Sequence, residues 1–116
     1  MIMIRCTPRR GDIVEVNCSP DQLMTRGIKH PAMVVNCDRY YRETGLLIVC
    51  AVGNMEYECP THFRLSKNME VPWTVYAERI STIDPQKTPL MYLETSRKSV
   101  VERTVKAVSS FFKDDD

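Results

Sequence analysis

The chain is 116 residues long, 43% apolar and 27% charged, the balance of an ordinary globular protein. A chain of this length makes one domain, spanning 1–116, that buries about two-thirds of its unfolded surface. Its net charge of +1 excludes a global field that would recruit nucleic acid or an anionic membrane, so any polyanion must be met by a local basic patch.

Residues 1–10 carry Arg5, Arg9 and Arg10 with Pro8 and read as an extended leader. They lack the basic region, long apolar run and cleavage site of a secretory signal. No apolar run downstream is long enough to span a bilayer, so the expected setting is the cytoplasm, away from any membrane. Cysteine usage agrees: Cys6, Cys18, Cys37, Cys50 and Cys59 are an odd set without a C-x-x-C pair. Cys37 and Cys50 lie in apolar runs, where a thiol acts as a small buried hydrophobe. Cys59 and His62, at C-x-x-H spacing, supply half a tetrahedral set that nothing nearby completes, so neither a metal nor a cofactor is expected.

Gly11 opens a first strand over Asp12–Cys18, mostly alternating and so wet on one face. Ser19-Pro20-Asp21 breaks it, and Gln22 to Lys29, with Arg26 and Lys29, is a loop of a length that often carries function. Then come two apolar runs rich in β-branched residues, from His30 to Asp38 and from Leu46 to Val52, joined by a polar bend over Arg39–Gly45. The second has no polar residue at all, so it is covered on both sides and forms the core of a central hairpin.

Gly53 to Glu58 is a second polar loop. Thr61-His62-Phe63-Arg64-Leu65 alternates as a half-exposed strand, with Phe63 and Leu65 inward. Lys67–Glu70 turns the chain into a strand over Val71–Ile80, with Glu78 on one face and Arg79 on the other. Leu90–Leu93 is a short final strand. Val101, Thr104, Val105, Val108, Phe111 and Phe112 then recur at helical spacing, which predicts an amphipathic helix over 96–112 capped by Thr95 or Ser96. The class is mainly β (α+β): a small β-barrel of five or six strands closed by a C-terminal helix.

This order of landmarks resembles the MazF/PemK (Kid) toxin family. Gly11-Asp12-Ile13-Val14, Ser19-Pro20 and His30-Pro31-Ala32-Met33-Val34-Val35 are similar to its opening strand, turn and Arg-Pro strand. Pro60-Thr61-His62-Phe63-Arg64-Leu65 and Ala77-Glu78-Arg79-Ile80-Ser81-Thr82-Ile83-Asp84 are similar to its later strands, and the last helix falls in its place. The resemblance implies an SH3-like barrel, a homodimer, an antitoxin partner, and metal-independent cleavage of single-stranded RNA by the ribose 2′-hydroxyl. Such chemistry needs a base, an acid and positive charge near the phosphate.

The chain departs from that pattern at several positions. His30 stands for the arginine before the proline, and Gly53 for the Ser/Thr after the core strand. Leu23-Met24-Thr25-Arg26 replaces a glycine- and glutamine-rich loop, and Tyr76 replaces an arginine, while Glu78 keeps the acidic position. The candidate catalytic residues are therefore His30, as the general base or acid, Glu78, orienting His30 or the nucleophile, and Arg26, with Lys29, Thr25, Arg79 and Tyr57 contacting RNA. His62 lies where the resemblance implies no chemistry. A second reading is a non-catalytic member of the same fold that binds nucleic acid or occupies a toxin or antitoxin partner.

Overall fold

The structure, a computed structural model, describes residues 7–17, 29–54, 59–65 and 73–114. In chain order it contains β1 (Asp12–Asn17), β2 (Lys29–Val34), α1 (Asp38–Thr44), β3 (Leu47–Gly53), β4 (His62–Arg64), β5 (Thr74–Ile83), β6 (Leu90–Thr95) and α2 (Lys98–Ser110). The strands form one antiparallel sheet of six, in the order β4-β5-β3-β2-β1-β6. The expected turn at Ser19-Pro20-Asp21, the turn at Lys67–Glu70 and the start of the following strand at Val71-Pro72 lie outside the described residues.

β3 sits between β2 and β5, and its Leu47, Val49, Cys50 and Val52 are all buried. Alternation divides them between two cores. On one face Cys50 and Val52 join Ile13, Met33 and Val75 beneath Val100 and Val101 of α2. On the other, Leu47 and Val49 join Val14, Val16, Ala32 and Val34, with Tyr41 of α1 laid against them. Both faces of β1 are therefore buried at Ile13 and Val14, and the expected wet face is absent there. The expectation failed because Val14 and Val16 pack into the second cluster, against which Tyr41, Ile83 and Leu90 also lie.

The polar bend expected over Arg39–Gly45 is largely helix α1. Asp38 in its first turn and Arg42 in its last both suit the helix dipole. Gly45 ends it at φ 75°, with its N–H donating to the Tyr41 carbonyl at 2.7 Å. A helix of seven residues with one inward tyrosine has too short an apolar stripe to be read from periodicity. Cys37, at its N-cap, is exposed rather than buried, whereas Cys50 is fully buried.

The sheet belongs to the mainly-β class expected, but it stays open: no pairing joins β4 to β6 among the described residues. β4, the edge strand, has only three residues, and α2 packs over the face of β4 and β5. Arg97 ties the helix start to this edge, its Nε donating to the Leu65 carbonyl at 3.1 Å. Within α2, Val100, Val101 and Thr104 are buried, and Val105 and Val108 pack on the same core. The stripe then ends. Phe111 and Phe112 follow the helix at 40% and 77% exposure. Nor does Thr95 cap the helix, because its hydroxyl is committed to Asp12 Oδ1 at 3.1 Å; the N-cap is Arg97, without a side-chain bond.

Gly11 is needed where it stands. Its φ of 97° disfavours any side chain, and a Cβ there would lie 3.1 Å from Val101 Cγ2. Among the described residues no helix is long and apolar enough to cross a membrane.

Val100 is the fully buried anchor of α2. Val100→Asp should abolish the cooperative thermal transition, since an unpaired buried carboxylate costs several kcal/mol against a total stability of about 5–15 kcal/mol. Phe112→Asp, at an exposed site, should leave the melt within a few degrees of wild type. Native near-UV circular dichroism in Val100→Asp would overturn this assignment of the core.

Candidate active site

β4 and β5 build the polar cluster. His62 pairs directly with Tyr76, and Phe63 with Val75. Phe63 and Val75 face the α2 core, so His62 and Tyr76 face the other side of the sheet. Beyond Tyr76 the strand bulges: Val52 pairs with Val75 but Cys50 with Ile80, so β5 carries extra residues between them. A bulge re-aims side chains. Glu78 and Arg79 are both exposed, and both reach the His62–Tyr76 pair rather than opposite faces as simple alternation predicts.

Glu78 is held at both carboxylate oxygens. The Thr61 hydroxyl donates to Oε1 at 2.6 Å, and His62 Nε2 lies 2.7 Å from Oε2. An ionised carboxylate only accepts, so Nε2 carries the proton in this pair. With the Thr61 hydrogen used, the Cys59 thiol at 3.4 Å is left to donate to the Thr61 oxygen. The His62 side chain is 4% exposed and that of Glu78 39%, so the histidine is the inner partner and the carboxylate the outer one. The rings of His62 and Tyr76 meet at 4.6 Å with a 60° tilt, and the Arg79 guanidinium lies 5.3 Å above the Tyr76 ring.

Burial pushes the Glu78 carboxyl up, but the hydrogen bonds from Thr61 and His62, with a smaller backbone contribution, hold it on balance below the ordinary carboxylate value. Beneath the cluster, the Cys50 thiol contacts the Ala77 carbonyl at 3.6 Å and is pushed up to about 12 by burial and then by the Glu78 charge.

The sequence-derived candidates are dispersed. His30 is exposed on β2 opposite Val16 and lines an open cleft of about 510 Å³ with Ala32, Val49, Ala51 and Ser81. It is on the same side of the sheet as the cluster, but the hydrogen bonds of Glu78 go to Thr61 and His62 instead. Lys29 is placed by its backbone, opposite Asn17. Arg26, Thr25 and Tyr57 lie outside the described residues. Sequence reasoning missed Thr61 and His62 as partners of Glu78, and Tyr76 as the ring against His62. The available signal was the alternation Thr61–Leu65, which separates His62 from the inward Phe63. Among the described residues no group of three metal-ligating side chains converges.

A family model described as PemK-like, MazF-like toxin of type II toxin-antitoxin system matches residues 9–112. The chain belongs to this family. No curated protein sequence matches it. The fold is similar to that of MazE-MazF from Deinococcus radiodurans, with a TM-score of 0.77 at 21% identity over 96% of this chain and 100% of that one. MazF from the same organism gives 0.75 at 22% identity over 92% and 97%. An endoribonuclease in complex with its cognate antitoxin from a Mycobacterial species gives 0.71 at 14% identity over 93% and 100%. At these identities the likeness speaks for the fold alone.

Two of this family member's departures from the expected motif prove to be in contact. A Cβ on Gly53 would lie 2.8 Å from the Tyr76 hydroxyl oxygen and 3.0 Å from Cε2. Tyr76 therefore lies over the bare backbone of residue 53.

The two described thiols of contrasting setting give a direct check of this geometry. Cys37 is exposed, with its thiol lowered chiefly by the Tyr40 backbone, whereas Cys50 stays protonated. A soluble alkylating reagent near neutral pH should modify Cys37 and spare Cys50 until denaturant is added, as read by peptide mass mapping. Because the folded Cys50 value is raised, its contribution to stability is intact below the ordinary thiol range and is lost as pH rises toward about 12.

Proposed function

We propose that the chain is a toxin endoribonuclease that cleaves single-stranded RNA without a resident metal. The observation that carries this reading is the exposed Glu78 carboxylate, anionic and held at both oxygens, with the Arg79 guanidinium over the neighbouring Tyr76 ring, in a chain of this family. Glu78 takes the proton from the ribose 2′-hydroxyl, whose oxygen attacks the adjacent phosphorus. The bond to the 5′-oxygen breaks, leaving a 2′,3′-cyclic phosphate and a 5′-hydroxyl. Protonation of that leaving oxygen falls to His30, on the same side of the sheet, and Arg79 and Arg26 supply positive charge to the phosphorane. Lys29, Thr25 and Tyr57 contact the flanking nucleotides.

The partners follow the same logic. An antitoxin protein holds the toxin inactive in the cytoplasm; support comes from the related folds solved as MazE-MazF and as an endoribonuclease with its cognate antitoxin. A homodimer is favoured by the apolar surface that Met91, Tyr92 and Leu93 present on edge strand β6. The non-catalytic alternative draws on Gly53, which has no hydroxyl of its own beneath Tyr76.

Glu78→Gln should slow cleavage of a single-stranded RNA by about 10²–10⁴-fold, and His30→Ala should lose both cleavage and growth arrest. Cleavage should persist in EDTA. A base must be deprotonated to act, so the rate should fall with falling pH only below the ordinary carboxylate range. Wild-type protein that binds RNA or an antitoxin peptide yet cuts no RNA would establish the non-catalytic alternative.

A further inference from the structure

Two arrangements are open to a histidine bonded to a carboxylate. Either the imidazole works on the substrate and the carboxylate orients it, or the carboxylate works and the imidazole orients it. Exposure separates them. The His62 side chain is 4% exposed and its Nε2 is already directed at Glu78, whereas the Glu78 side chain is 39% exposed. Substrate can reach the carboxylate and not the ring.

The ring is itself fixed from below. Its face meets Tyr76, which is 3% exposed. The Tyr76 hydroxyl in turn occupies the space that any side chain at position 53 would need, since a Cβ there would stand 2.8 Å away. Contacts under 3.0 Å of this kind force a shift. Gly53, Tyr76, His62 and Glu78 thus form a continuous chain of contacts from the end of β3 to the exposed carboxylate.

We propose that His62 is the positioning residue of Glu78, that it is seated by Tyr76 on the bare backbone of Gly53, and that it holds the carboxylate with its free lone pairs outward. This rests on the endoribonuclease reading for its consequence and deepens it by assigning the residue behind the base. Thr61 holds one oxygen and His62 the other, so loss of either donor frees rotation about the terminal bond of Glu78. A base out of line by about 1 Å costs about 10²-fold in rate.

The test uses the purified 116-residue chain with ¹³C-labelled glutamate and two His62 variants. His62→Phe keeps a ring against Tyr76 but removes the donor, and His62→Gln keeps an amide N–H at a comparable reach. His62→Phe should move the Glu78 carboxyl titration up toward the ordinary range and lower kcat by about 10²-fold with KM unchanged. His62→Gln should restore most of both. Gly53→Ala, which displaces Tyr76 without touching Glu78, should shift the titration in the same direction as His62→Phe. Thermal melts confirm that each variant is folded.

An unmoved Glu78 titration in folded His62→Phe would overturn the proposal. So would equal loss of kcat in His62→Phe and His62→Gln, which would make the imidazole itself the proton carrier. Wild-type protein that cuts no RNA would sink the endoribonuclease reading instead, and the titration would still decide whether His62 holds the carboxylate.

Discussion

Burial of β3 on both faces is the constraint from which the rest of the structure follows. Leu47, Val49, Cys50 and Val52 leave no wet side, so each face needs its own cover. One receives α2, through Val100, Val101 and Thr104. The other receives α1 only at one end, where Tyr41 meets the cluster around Leu47 and Val34. Toward the far end of that second face the side chains shrink to Ala32 and Ala51, and the sheet surface opens into the cleft bordered by His30. The polar cluster lies on this same uncovered side. A folding requirement at the centre of the sheet thereby decides where chemistry has room.

The bulge in β5 turns that room into a site. Regular alternation would send Glu78 and Arg79 to opposite faces. With extra residues between the pairs Val52–Val75 and Cys50–Ile80, both side chains converge on Tyr76 and His62. The electrostatics follow from depth. Cys50, below the strand, is kept protonated by burial, while Glu78 at the surface keeps its charge because two hydrogen bonds outweigh its partial desolvation. The result is an anionic carboxylate at the surface with an imidazole behind it and a guanidinium over the neighbouring phenol ring.

The departures at Gly53 and Tyr76 belong together. A residue with a side chain at position 53 would collide with the Tyr76 hydroxyl, and only glycine lets the phenol lie down. Tyr76 then backs His62, and the Arg79 guanidinium lies over the Tyr76 ring. The family's architecture is retained, while the contact of Gly53 with Tyr76 is read from this chain's own geometry.

Much of this was legible in the sequence. The unbroken apolar run Leu46–Val52 required a strand covered on both sides, and the spacing from Val101 to Val108 required a helix packed on the sheet, because burial periodicity is local in the chain. The acidic position Glu78 and the order of motifs placed the family. Other features needed the tertiary structure. The short helix α1, the open sheet and the buried outer face of β1 depend on which strands become neighbours. The pairing of Glu78 with His62 depends on β4 meeting β5 across sixteen residues and on a bulge that alternation does not anticipate. The sequence determined which residues must be inside and which carry charge, since those follow from each side chain's own chemistry. Only the folded sheet decided that His62 stands behind Glu78 and Tyr76 lies over Gly53, because register and bulge arise between strands and belong to no single segment.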